Sequence, residues 1–97
     1  MINQQLEEKI KISKAKLEES HAVAIKLFAK DGIPGALKNE FNIKTDQYDS
    51  MFNSIEDMKS LSTKDEMIDN LLQQQMEGLR VRIEWERDII KRALNYV

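Results

Sequence analysis

From Lys64 to Val97 the apolar residues recur at a spacing that only a helix gathers onto one side. At about 100° per residue, Leu72, Leu79, Ile83, Ile90, Ala93 and Val97 fall in one stripe. Leu71, Trp85, Ile89 and Tyr96 fall beside it, so the apolar arc covers roughly half the circumference. A helix packed on a single neighbour needs an arc of only ~100°. This helix, predicted over about 64–96, therefore wants two neighbours. Glu66, Asp69, Gln73, Glu77, Arg80, Glu84, Arg87, Asp88 and Lys91 make its wet face. Gly78 marks either a close approach or a weak point.

Upstream, Leu6, Ile10, Leu17, Ala24 and Phe28 share a face, with Ile2, Ile25 and Leu27 at its edges. Ser13, Ser20 and His21 interrupt that stripe, so the first helix, about 2–30, has the narrower seam. Gly32-Ile33-Pro34-Gly35 breaks the chain: glycine suits a left-handed cap, and proline keeps the residue before it extended. Pro34 opens a short helix through Leu37 and Phe41 within segment 31–44, with a turn at Asn42-Ile43-Lys44. Thr45 is placed to cap a helix over 46–60 that carries Tyr48, Met51, Phe52, Ile55 and Met58 on one side. Ser62 with Asp65, or Thr63 with Glu66, forms a capping box for the last helix.

The expected fold is all-α: one helical domain over 1–97, bundle or coiled-coil-like. Two long antiparallel helices are joined by a shorter amphipathic one. A middle helix of about 15 residues spans only ~22 Å, too little to cover both long helices. Apolar surface is then left over near Trp85, Ile89 and Tyr96, and a second copy covers it, most simply as a C2 dimer.

Composition narrows the function classes. One third of the 97 residues are charged and none is cysteine, which removes disulfides and thiolate chemistry and fits a reducing compartment. No apolar run approaches the ~20 residues of a membrane span, and the first residues, MINQQLEEKI, lack a signal-peptide pattern. A cytoplasmic protein without membrane association is expected. The net charge of −2 is unevenly spread. Residues 1–39 carry seven lysines against five acids, residues 40–77 three against nine, and residues 78–97 five bases, including all four arginines, against three acids.

The candidate chemistry is sparse. His21 is the only histidine, and Glu18 stands three residues before it on the same helix side. Carboxylate-bridged di-metal bundles use two such motifs with further inward glutamates. The chain lacks those at matching spacing, so no metal or cofactor is expected, and no nucleophile-and-base set marks an enzyme. Arg82 and Glu86 are charges inside the apolar arc; they pair with a facing helix or fix its register. Arg80, Arg87 and Lys91 lie within a turn of Glu77, Glu84 and Asp88, which neutralise them and argue against a nucleic-acid partner.

The reading is a non-catalytic, regulatory protein-interaction module (inhibitor, adaptor or assembly factor) acting as a homo-oligomer. Trp85, Ile89, Tyr96, Arg92 and Arg82 are its expected contact residues, because aromatics and arginine dominate interface energetics. The alternatives are an oligomer that sequesters a small ligand or nucleotide, or a weak nucleic-acid binder using the last helix. Size and a Lys/Ile/Asn-rich composition match small accessory proteins of phages and bacteria in style, not in family.

Overall fold

The computed structural model describes residues 4–97, so the expected start of the first helix at residue 2 and the placing of Ile2 lie outside the described residues. Three helices account for nearly all of it: α1 Gln4–Phe28, α2 Gly35–Leu61 and α3 Asp65–Leu94. The molecule measures 50 × 21 × 15 Å. Its long axis is set by the 30 residues of α3, about 45 Å of helix.

The chain reverses where the glycine and proline require it. α1 ends at Phe28, and Gly32 takes a φ of +95°, a conformation costly for any residue with a Cβ. A Cβ at Gly32 would also stand 3.3 Å from the Tyr96 carbonyl oxygen, so this loop lies against the end of α3. Pro34 caps α2, its carbonyl accepting from the Leu37 and Lys38 N–H groups.

Three expectations fail here. α2 is one helix of 27 residues that runs through Asn42-Ile43-Lys44 without a turn. Asn and Ile are weak helix formers, at a cost of about 0.5 kcal/mol each. That cost is small beside seating Phe41 in the core, and neither residue forbids the helical backbone. Thr45 is therefore interior to α2, not its cap, and its hydroxyl is buried without a partner. The capping box does not form either. Lys64 occupies the N-cap of α3 with no side-chain cap bond, and the Ser62 hydroxyl turns to the Lys64 carbonyl.

The helix directions also differ from expectation. Ile10 and Leu17 of α1 pack with Leu72 and Leu79 of α3, while Ala24 and Phe28 pack with Ile89 and Ala93 further on. α1 and α3 therefore run parallel, and α2 returns between them. Its pairs with α3 step backward as α3 steps forward: Glu56 with Gln75, Asp49 with Arg82, Glu40 with Arg92. A middle helix as long as its neighbours makes this up-down-up order necessary.

α3 supplies the seam on which both partners rest. Ile68, Leu72, Gln75, Leu79, Arg82, Glu86, Ile89 and Ala93 follow one another at alternating steps of four and three, and all but half-buried Ile68 are buried. Three of them are polar. Gln75 donates from Nε2 to Glu56 Oε1 at 2.6 Å and accepts from Lys59 at 3.3 Å. Arg82 donates from Nη1 to Asp49 Oδ1 at 2.6 Å. Glu86, with no exposed surface, accepts from His21 Nδ1 at 3.0 Å, and its other carboxylate oxygen is buried and unpaired. The last two pairs lie between the two apolar clusters, one around Leu72 and Leu79, the other around Phe28, Phe41 and Ile89.

Removing one member of a buried pair strands its partner, whereas replacing both by apolar groups is often neutral. His21→Leu is thus expected to lower unfolding stability by about 3 kcal/mol, and His21→Leu with Glu86→Leu to stand within about 1 kcal/mol of the parent or above it. Urea unfolding of the three proteins measures this. Equal losses in the single and double variants would show that Glu86 does not depend on His21.

Candidate functional site

The five residues expected at an intermolecular contact are largely used within the chain. Ile89 is wholly buried among α1 and α2 residues, which removes it from any external surface of this fold. Trp85 stacks on Phe41 with ring centroids 6.2 Å apart and meets Tyr48 at 5.6 Å. Arg82 is buried against Asp49, its guanidinium 5.9 Å from the Tyr48 ring centroid. Arg92 bridges Glu40 at 2.6 Å and Asp88 at 3.1 Å. Tyr96, two residues past the end of α3, is half exposed, and the Arg92 side chain is partly exposed as well. The apolar surface expected near Trp85 and Ile89 is covered because α2 is nearly twice as long as anticipated.

Exposed apolar side chains are spread over all three helices, Val23, Ile43 and Leu61 among them, and one group of them lines a groove. This open groove, of about 650 Å³, lies between α2 and α3 on one side. Tyr48, Met51 and Ile55 line it from α2, and Gln74, Gly78 and Val81 from α3. A narrow slot beneath it reaches Phe52, Leu79 and Arg82. Met51 and Val81 are substantially exposed, and a Cβ built at Gly78 meets nothing within 4 Å. The rim is unusual for a chain so rich in charge: Ser50, Ser54, Asn70, Gln73 and Gln74 are neutral, and its single ionic residue, Glu77, is held by Arg80 at 2.6 Å. Depletion of charge around apolar side chains marks the centre of protein interfaces.

This surface was only partly foreshadowed. The spacing groups Met51 and Ile55 with Tyr48 and Phe52 on one face of a helix, but that face is divided, Phe52 turning to the core and Met51 to the groove. On α3 the signal was a second stripe, Met67, Gln74, Gly78 and Val81, whose glycine and glutamine hide it from an apolar count.

A second cleft separates α1 from α2. Lys14, Glu18, His21, Asp49 and Arg82 line one part, of about 320 Å³. Glu7, Glu8, Lys11, Glu56 and Lys59 line its continuation. Bases and acids alternate along it, and Lys14 crosses to lie 5.0 Å from the Phe52 ring centroid. Such a cleft has no single-sign field with which to collect an anion. His21 is occupied by Glu86 and stacked on Phe41, 5.4 Å between centroids. Among the described residues no three His, Asp or Glu side chains converge as metal ligands, and no helix is long and apolar enough to cross a membrane.

Two interhelical carboxylates, Glu40 and Glu56, are held below the ordinary glutamate value by their partners. Arg92, by its hydrogen bond and charge, holds Glu40 below the ordinary glutamate value of 4.5. The Trp85 indole N–H adds to this without forming a well-aligned hydrogen bond, so Nε1 counts as unpaired. Burial pushes Glu56 up, but the hydrogen bond from Gln75 and the Lys59 ammonium outweigh it, and its pKa is lowered. A carboxyl depressed in the folded state stabilises above its unfolded value, and that contribution is lost as pH falls through the folded one. Stability is therefore expected to decline as pH drops below about 4.5, and less steeply with Glu40→Gln and Glu56→Gln combined. Urea midpoints across the acid range test this, and an unchanged slope would assign the effect to other groups. In comparisons with known proteins, the chain matches no family model, no curated protein and no solved structure.

Proposed function

We propose that the chain is a non-catalytic helical interaction module that works by docking to protein through the groove between α2 and α3, acting as a homo-oligomer. The observation that carries this reading is the coincidence of Met51, Ile55 and Val81 with a rim whose one ionic residue, Glu77, is paired with Arg80, in a chain that is one-third charged. A solvated groove with no partner to meet gains nothing from exposed methionine and valine, whereas methionine adapts readily to an apposed surface. The inhibitor, adaptor or assembly-factor roles are all compatible with such a surface. The proposed interaction site is no longer Trp85 and Ile89, which pack inside the monomer, but the groove beside them, reached through Tyr48, which lines it and meets the Trp85 ring at 5.6 Å.

Small-ligand sequestration finds weaker support, because the α1–α2 cleft is lined by mutually compensating charges. Binding to nucleic acid through α3 is opposed by the pairing of Arg80 with Glu77 and Glu84 and of Arg92 with Glu40 and Asp88.

Sedimentation velocity over a concentration series tests the reading. The parent chain is expected to self-associate, and Met51→Asp with Val81→Asp to weaken association by more than about tenfold while helix content is retained. A parent that stays monomeric, or an association indifferent to both substitutions, would sink it.

A further inference from the structure

We propose that the protein stands on an anionic lipid surface by one end of its bundle, the end where α1 stops, α2 starts and α3 finishes. This contact is separate from the groove and uses other residues.

The end is assembled by the fold. Because α1 and α3 run parallel and α2 returns between them, residues 26–44 and 87–97 come together there. Seven bases stand among them against three acids. Two of the acids, Glu40 and Asp88, are both taken by Arg92. Lys26, Lys30, Lys38, Lys44, Arg87 and Lys91 are in no ion pair among the described residues, and Asp31 is the third acid. The opposite end, residues 4–11 and 53–69, holds four bases against seven acids. A chain of net charge −2 is thus folded into a rod with +4 at one end and −3 at the other. The rod is 50 Å long, several times the ~8 Å over which physiological salt screens a charge. An anionic surface touching the basic end is therefore attracted by it without meeting the repulsion of the acidic one.

The second observation is apolar. Leu94 ends α3, Tyr96 and Val97 follow it, and each is more than half exposed. The loop between α1 and α2 lies against the Tyr96 carbonyl, so these side chains share one tip with the start of α2. Bases and apolar groups gathered at a tip suit the boundary between headgroups and acyl chains. The ammonium groups stay level with lipid phosphates, while leucine and tyrosine enter the interface, where tyrosine is enriched. No helix of the described residues is long and apolar enough to cross a membrane, so this attachment is peripheral.

Other anionic partners fit less well. Nucleic acid satisfies the bases and gives Leu94 and Val97 nothing to meet. A second copy offering its acidic end would join unlike ends, and such a contact along the rod axis does not close but strings copies into open chains. An upright rod also keeps the groove clear of the lipid, because its lining from Tyr48 to Ile55 and from Asn70 to Val81 lies toward the acidic end.

Co-sedimentation of the full chain with vesicles tests the proposal. Binding is expected to vesicles of phosphatidylcholine with phosphatidylglycerol, not to phosphatidylcholine alone, and to weaken as salt is raised. Lys30→Glu with Lys91→Glu is expected to lower the partition coefficient by more than about tenfold. Leu94→Ser with Tyr96→Ser should lower it severalfold. Lys9→Glu with Lys64→Glu makes the same change of net charge at the other end and should alter it by less than about twofold. All six positions are exposed, so far-UV circular dichroism should show unchanged helix content in each variant. Equal binding to neutral vesicles, no binding to either kind, or equal losses from the two lysine pairs would overturn the proposal. Binding to duplex DNA in the absence of vesicle binding would give the tip to nucleic acid. Salt-sensitive chains of copies, formed without vesicle binding and broken by Lys30→Glu with Lys91→Glu, would give it to a second copy. None of these results touches the groove, whose substitutions lie outside the tip.

Discussion

Everything in this bundle is registered by the polar residues that α3 carries into its own seam. A seam of aliphatic side chains at alternating steps of four and three would tolerate sliding, because one turn up or down presents a similar surface. Gln75, Arg82 and Glu86 remove that freedom. Each finds its partner on a defined turn of another helix: Glu56 and Lys59, Asp49, and His21. Shifting α1 by one turn against α3 would bring Leu17 or Ile25 to Glu86 in place of His21, and shifting α2 would carry Asp49 and Glu56 away from Arg82 and Gln75. The cost of an unpaired buried charge exceeds what aliphatic contacts recover. The seam is not ideally satisfied even so, since Arg82 Nε and one oxygen of Glu86 remain unpaired in the interior. Specificity of register is the benefit that offsets this loss.

The same pairs divide the interior. At one end the core is aliphatic, built on Ile10, Leu17, Leu72 and Leu79. At the other it is aromatic: Phe41 stacks on Phe28 at 4.5 Å, on His21 and on Trp85, and Ile33 from the loop closes it. Stacked rings are rigid and large, and they anchor the α1–α2 connection against the last turns of α3, where Gly32 approaches the Tyr96 carbonyl. Trp85 is therefore a structural residue of the aromatic end. Its size made it a plausible contact for a partner, and the same size makes it the natural lid over Phe41.

How much of this the sequence could show depends on the kind of signal. The reversal at Gly32 and Pro34 is legible because both residues restrict the backbone locally. The amphipathic period of α3 is legible because it is long. The turn expected at Asn42-Ile43-Lys44 was a propensity argument about three residues, and the burial of Phe41 on one side and the Phe52 turn on the other overrode it. A turn there shortens α2, which in turn reverses the expected direction of α3 relative to α1 and leaves Trp85 and Ile89 uncovered. Arg82 and Glu86 are visible as charges in an apolar arc, a pattern that fits pairing with a facing helix. Their true place was obscured because an apolar count skips Gln75, Arg82 and Glu86, although they keep the spacing of the seam. Gly78 hid the groove in the same way.

The character of the surface also bears on how tightly anything can hold it. Fully burying a methionine, isoleucine or valine side chain is worth roughly 1.5–3 kcal/mol. Met51 and Val81 are already partly covered in the monomer, and Ile55 more so, so each offers only a fraction of that. Association must first offset at least about 4 kcal/mol of lost translational and rotational freedom. A groove with three such side chains per copy and no buried ion pair therefore suits a reversible complex, not an obligate one, and the core of the monomer is complete without it. This agrees with the way α3 is used. Its inner stripe spends its charges on fixing the fold, and its outer stripe is kept neutral, so that docking and unfolding remain separate equilibria. If the proposed docking holds, a partner could leave the groove without the bundle coming apart, because the buried pairs of α3 take no part in it.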